Sequence, residues 1–309
     1  MKGRTKAVNT VKKYLQKLFL LLTLLFLFLA GGQSISATEF GGGAYPNGAE
    51  DFMAGAVPPP GNYFINYLTY YTADDFTDGK GHTLIPDFDV SVTANVFRFI
   101  HVTNKQVFGG FWGMHAFVPV MNVDITAGGM DDSKSGLGDI IVDPFILSWH
   151  SKNWHFATGL DIFMPTGAYD QNDLANLGRN YWTFEPIFGF TYVGNKGLDI
   201  SAKFMYDLNT ENEDTDYQSG QEFHVDYTVG QKINNFSFGL GGYYYIQTTD
   251  DELNGVKVGD GFRGEVFAVG PQVKFDCGKT SFILKYQQET ASEYRPEGDK
   301  FWFKLVHAF

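Results

Sequence analysis

Polar and ionisable residues stand at alternate positions in segments whose remaining positions are largely apolar. They are Asp89, Asn95, Asp143, His155, Asp161, Glu185, Lys203, Asp207, His224, Asp226, Arg263, Glu265, Lys285, Glu289 and Lys304. Acids and bases are mixed, which leaves two uses open. They can pair with one another and hold a wall in shape, or they can line a path that selects a solute. Carboxylates without a basic partner would favour cations or neutral solutes over anions. The spacing carries no catalytic signature: there is no G-x-S-x-G elbow and no paired His/Cys pattern for a metal, so no cofactor and no catalytic residue are expected. Aromatic residues share some of these polar faces, among them Phe97, Phe163, Tyr243, Tyr245 and Trp302. An apolar strip of this kind suits passage of a hydrophobic solute, and gap filling explains it equally well.

The elements that must position these residues are strands. "GLDISAKFMYDLN" sets Leu198, Ile200, Ala202, Phe204, Tyr206 and Leu208 on one face and Asp199, Ser201, Lys203, Asp207 and Asn209 on the other, with Met205 the interruption. "NWHFATGLDIFMP" and "NYWTFEPIFGFTY" alternate in the same way, and period two is the mark of a strand with unlike faces. Twelve segments qualify, near 62–73, 86–102, 107–123, 138–150, 153–165, 180–193, 197–209, 220–233, 235–248, 262–275, 280–289 and 299–309. The first three alternate least cleanly.

Their connections alternate in length. "TNK", "SKN", "GNKG", "INN" and "DCGK" are short, whereas "TADDFTDGKGHTLI", "GAYDQNDLANLGR" and "NTENEDTDYQSG" are long and polar. Tight turns on one rim and long loops on the other describe an all-β, membrane-spanning, antiparallel up-and-down β-barrel of about 12 strands, with periplasmic turns and extracellular loops. Only a closed sheet pairs every backbone group inside hydrocarbon. A soluble sandwich or lipocalin-like barrel would show the same alternation; strand number, loop lengths and the leader favour the membrane. Acidic loop clusters, such as Glu211, Glu213, Asp214 and Asp216, offer oxygen ligands for Ca²⁺ or Mg²⁺, but none has a full calcium-loop spacing and a solvated surface is the plainer reading.

Residues 1–37 read as a cleaved signal peptide. Six basic residues and the run "LFLLLTLLFLFLA" precede the small residues of "GGQSISA", and thirteen apolar residues fall short of a membrane-spanning helix. Without those six, 17 of the 23 basic residues remain against 35 acids, a balance of −18, and such an acidic chain is no nucleic-acid partner. The lone Cys277 makes no internal disulfide. Residues 38–60 contain three consecutive prolines, which cannot donate to a ladder, so this Gly/Pro-rich segment is either a free periplasmic tail or a lumen plug ahead of a barrel spanning 61–309.

Several stretches recur in order: "YPNGAEDFMAGAVPPPGNYFINY", "GLGDIIVDPFILSWH", "NLGRNYWTFEPIFGFTY", "NEDTDYQSGQEFHVDY", "GLGGYYYIQTTDD" and "RGEVFAVGPQV". Together they resemble the outer-membrane transporter family associated with the meta-pathway of phenol degradation, over nearly the whole mature chain. The resemblance implies a barrel in the outer membrane of a Gram-negative (diderm) bacterium that takes up small hydrophobic or aromatic compounds. A lipid hydrolase is one alternative, but it would need Ser and His together on the lipid-facing wall, whereas His155 and His224 fall on the polar side. A non-transporting surface or structural protein is the other. The expected partners are outer-membrane lipid, the hydrophobic solute and the barrel-insertion machinery. The last is addressed by the closing strand, with Phe301, Phe303, Leu305 and the terminal Phe309 on the lipid face and Lys304 pointing inward; His307 departs from the usual apolar pattern.

Overall fold

The structure, a computed structural model, describes residues 41–309; the expected leader lies outside the described residues. The first half holds β1 (Gly61–Phe76), β2 (Asp89–Val107), β3 (Gly110–Ala127), β4 (Met130–Leu137), β5 (Ile140–His150), β6 (Trp154–Met164), β7 (Thr183–Val193) and β8 (Leu198–Asn209). The second holds β9 (Tyr217–Gln218), β10 (Glu222–Ile233), β11 (Phe236–Gln247), β12 (Glu252–Leu253), β13 (Val256–Lys257), β14 (Glu265–Cys277), β15 (Thr280–Glu293) and β16 (Pro296–Ala308). Among the described residues no helix is long and apolar enough to cross a membrane.

Each long strand pairs antiparallel with its neighbours in the chain, and β16 returns to β1 in the register Tyr67↔Lys304 and Thr69↔Trp302. Twelve strands close the ring; β4 prolongs the β5 strand along β3 beyond a break at 138–139. Closure leaves no unpaired edge. Three very short strands, β9, β12 and β13, form a separate small sheet within two of the long loops.

The short turns fall where the sequence predicts, with one shift. "TNK" lies inside β2 at an irregular stretch, and the chain reverses instead at Phe108–Gly109. Both residues have positive φ, 51° and 77°, the geometry whose twist suits a two-residue hairpin. Two of the expected long loops are extended hairpins: β3–β4 turns at 128–129 and β15–β16 at 294–295.

The two faces of the wall are inverted relative to a soluble barrel. Phe99, Phe188, Val229, Leu240, Leu284 and Phe301 are exposed on the outside, which is stable only against hydrocarbon. Asp161, Glu185, Lys203, Asp207, His224 and Asp226 are buried on the inside. Phe301 and Phe303 face outward and Lys304 inward, while Phe309 is 72% exposed at the rim.

Four expected inward residues take other positions. On β2 the inward set is Val90, Ala94, Arg98, Ile100 and Val102, so Asp89 and Asn95 point the other way, as does the aromatic Phe97. Asp89 is exposed at the start of the strand. Asn95 faces out and accepts a 2.5 Å hydrogen bond from the Asn66 amide; paired amides answer the cost of polar groups in apolar surroundings. On β14 the inward set is Val266, Ala268 and Gln272, which turns Glu265 outward to accept from the Tyr244 hydroxyl at 2.8 Å. Arg263 precedes the strand and donates to Asp250 in the outer loops at 2.8 Å.

Candidate functional site in the barrel lumen

Asp226, Lys285 and Lys304 lie on the inner faces of β10, β15 and β16, and all three are engaged by the segment preceding β1. The Asp226 carboxylate accepts from the Tyr45 hydroxyl at 2.8 Å, from the Gly48 amide at 2.8 Å and from the Glu50 amide at 2.9 Å. Lys285 Nζ donates to the carbonyls of Gly48, Ala49 and Glu50 at 2.6, 3.0 and 2.9 Å. Farther along, Asp199 accepts from the Met53 amide at 3.1 Å and Thr191 Oγ1 from the Gly55 amide at 3.0 Å. Backbone groups that no ladder could pair in this Gly/Pro-rich stretch are thus satisfied by the wall.

Charge completes the attachment. Glu50 pairs with Arg98 at 3.2 Å and with Lys304 at 3.4 Å, and Asp51 pairs with Lys304 at 2.9 Å. Burial alone would push the Glu50 carboxyl up, but Lys304 and Arg98 outweigh it and hold it well below the usual carboxylate range. Phe52 is buried against Gly230 and Gly239. A Cβ on Gly230 would stand 2.3 Å from the Phe52 ring, so the ring requires glycine at that point of the wall.

A second set runs around the wall through adjacent strands. Arg98 contacts His115 Nδ1 at 2.9 Å, and His115 Nε2 meets Asp161 at 2.6 Å. Lys203 bridges Asp161 at 3.2 Å and Glu185 at 3.6 Å. His224 Nε2 then lies 3.4 Å from Glu185 and 3.3 Å from Asp207. Asp143 caps two backbone amides, Phe145 at 2.7 Å and Leu160 at 2.9 Å. Glu289 accepts from Tyr71 at 2.8 Å and from Tyr243. His155 stands apart near the short turns, 3.0 Å from His150.

Aromatic faces fill the space between these charges. Lys300 lies over Tyr71 and Tyr243, Lys304 over Tyr67, Lys285 over Trp302 and Arg295 over Tyr245. Cations stacked on ring faces hold those rings in place.

Sequence reasoning brings Asp143, Asp161, Glu185, Lys203, Asp207, His224, Asp226, Lys285, Glu289 and Lys304 to the interior but misses Glu50, Asp51, Arg98 and His115. Arg98 shares its face of β2 with the apolar Val96 and Ile100, and polarity alone reads such a face as the outer one. His115 lies on a strand apolar on both sides, beside a register shift between Gly113 and His115. Glu50 and Asp51 occupy a stretch with no period at all.

Comparison with known proteins follows the same outline. Residues 73–305 match the family model described as putative MetA-pathway of phenol degradation. The fold is similar to that of an outer membrane channel from Pseudomonas putida F1, with a TM-score of 0.73, 16% identity, and coverage of 83% of this chain and 98% of that one. A weaker likeness, TM-score 0.49 at 10% identity, extends to the β domain of the Bordetella autotransporter Brka and covers 81% of this chain and 100% of that one. No curated protein matches the sequence. The matched span runs from the end of β1 into β16, leaving out most of the first strand and the last few residues, and the chain belongs to the putative MetA-pathway of phenol degradation family.

Proposed function

We propose that this protein is an outer-membrane channel for uptake of small hydrophobic or aromatic compounds, with a lumen occupied by residues 41–60. The observation that carries this reading is the joint engagement of the segment by Asp226, Lys285 and Lys304, beside an inner wall bearing Tyr67, Tyr71, Tyr243, Tyr245 and Trp302. These rings are buried while the segment is docked, and its release would expose them as a surface for an apolar solute to follow. The family description, phenol degradation, points to the same solute class. The inward-facing charges are read here as the wall of that path, and Phe301, Phe303, Leu305 and Phe309 as the insertion signal.

Inward histidines speak against lipid hydrolysis at the outer face. His115 and His224 are buried inside the barrel, where a lipid ester arriving through the bilayer would not meet them.

The test compares the full-length protein with a deletion of residues 41–56, in planar bilayers and in cells supplied with a radiolabelled aromatic acid or phenol. Higher conductance after deletion, together with slower solute uptake in a strain lacking the gene, is the expected result. Absence of any channel, together with undiminished uptake without the gene, would refute the transport reading.

A further inference from the structure

Two clusters inside the barrel combine histidine with carboxylates, His115–Asp143–Asp161 and Glu185–Asp207–His224. Their hydrogen bonding differs completely. In the first, both nitrogens of His115 and all four oxygens of Asp143 and Asp161 have partners: Arg98 and Asp161 for the histidine, the Phe145 and Leu160 amides for Asp143, and His115 and Lys203 for Asp161. In the second, none of the six side-chain nitrogen and oxygen atoms has a hydrogen-bond partner among the described residues, although all three residues are fully buried.

Register explains how they converge. Glu222 is paired with Asp207 and His224 with Met205, while Thr183 is paired with Asn209 and Ile187 with Met205. Glu185 and Asp207 therefore stand opposite each other on the inner faces of β7 and β8, and His224 lies diagonally across from Asp207, one inward position along β10. Each offers an atom within 4.8 Å of the others'.

Distances within the cluster are informative. His224 Nε2 is 3.4 Å from Glu185 Oε2 and 3.3 Å from Asp207 Oδ1. These are long for hydrogen bonds to a buried carboxylate, which run at about 2.7–2.9 Å. They match the edge of a tetrahedron: donors held about 2.05 Å from a tetrahedral ion stand about 3.3 Å apart. Tyr245, paired with His224 in the β10–β11 register, carries another buried hydroxyl without a hydrogen-bond partner.

We propose that Glu185, Asp207 and His224 form a site for one divalent transition-metal ion of the Zn²⁺ type. One imidazole and two carboxylates are a donor set such ions accept, and the fourth position is open to water or to Tyr245. Two carboxylates also supply the charge that a dication needs, with Lys203 already shared between Glu185 and Asp161. The ion would tie β7, β8 and β10 together beneath Tyr45, whose ring lies 4.9 Å from that of His224. Direct contact of His224 with the two carboxylates, with no ion between them, is the competing arrangement.

The experiment refolds the mature chain in detergent with Zn²⁺ or with Co²⁺, because the lumen segment covers the site once folding is complete. After desalting, elemental analysis should find one Zn²⁺ per chain, and the Co²⁺ form should show the intense visible absorption of four-coordinate geometry. Asp207→Asn and Glu185→Gln, each checked for heat-shifted gel mobility as a sign of folding, should lower retention at least about tenfold, and His155→Asn, remote from the cluster, should leave it unchanged. The two carboxamide variants back each other should one fail to fold. Wild-type protein that retains no Zn²⁺, a Co²⁺ spectrum of weak octahedral type, or equal retention by a folded carboxamide variant would each overturn the proposal.

Discussion

Replacing Asp226 by alanine removes one carboxylate and, with it, the anchor for three donors, the Tyr45 hydroxyl and the Gly48 and Glu50 amides. Hydrogen bonds to a charged acceptor contribute at least about 1.5 kcal/mol each, so three sum to roughly 4–5 kcal/mol. Water reaching the freed amides in the lumen returns part of that, which leaves about 3 kcal/mol. At about 1.4 kcal/mol per tenfold, the ratio of docked to released segment should fall on the order of a hundredfold. Single-channel recording reads this directly, as an increase in open time toward the behaviour of the protein lacking residues 41–56. Asp226→Asn, which keeps an acceptor oxygen, should fall between. The reasoning is refuted if the deletion opens the channel but Asp226→Ala, alone and combined with Lys285→Ala, leaves open time at the wild-type value.

Three other perturbations have defined outcomes. Glu50 is held below its ordinary carboxyl value of 4.5 in the folded chain; its pairing with Arg98 and Lys304 is therefore complete above that value and is lost as pH falls toward the lowered one. Open time should rise on acidification from pH 7 toward about 3, and Glu50→Gln should show a flatter dependence in the same recordings. Gly230→Val places side-chain carbons where the Phe52 ring lies, since even a Cβ at this position would stand 2.3 Å from the ring, and limited proteolysis should cut the segment faster in this variant than in wild type. Phe309→Ser is expected to reduce the amount of heat-modifiable protein in outer-membrane fractions, and normal levels would count against its role in delivery.

Much of the barrel was legible in the sequence because lipid imposes a rule on every strand. Outward positions must be apolar, so Leu198, Ile200 and Phe204 alternate against Asp199, Ser201 and Lys203, and the register observed between β8 and β10 follows. The rule says less where a side chain is not judged by lipid. Asp89 and Arg263 belong to the exposed outer rim, where either face is wet, and Asn95 is tolerated outside because Asn66 answers it. Arg98 could not be told from its apolar neighbours on β2, since the partners that justify it, Glu50 and His115, come from another segment and another strand. The path of residues 41–60 was hidden for the same reason: its order comes from the wall it touches and not from any period of its own.

The attachment of Glu50 has a bearing on how the barrel is completed. Glu50 reaches Arg98 on β2 and Lys304 on β16, the two strands on either side of β1. Its partner on β16 is 254 residues away in sequence, so this contact forms only when the final strand has been delivered. The full set of Glu50 contacts is therefore available only once the first and last strands have met, and docking of the segment depends on closure of the wall. The occupant acts as a clasp across the last joint to form, and prising the first and last strands apart means drawing a buried carboxylate away from both of its cations.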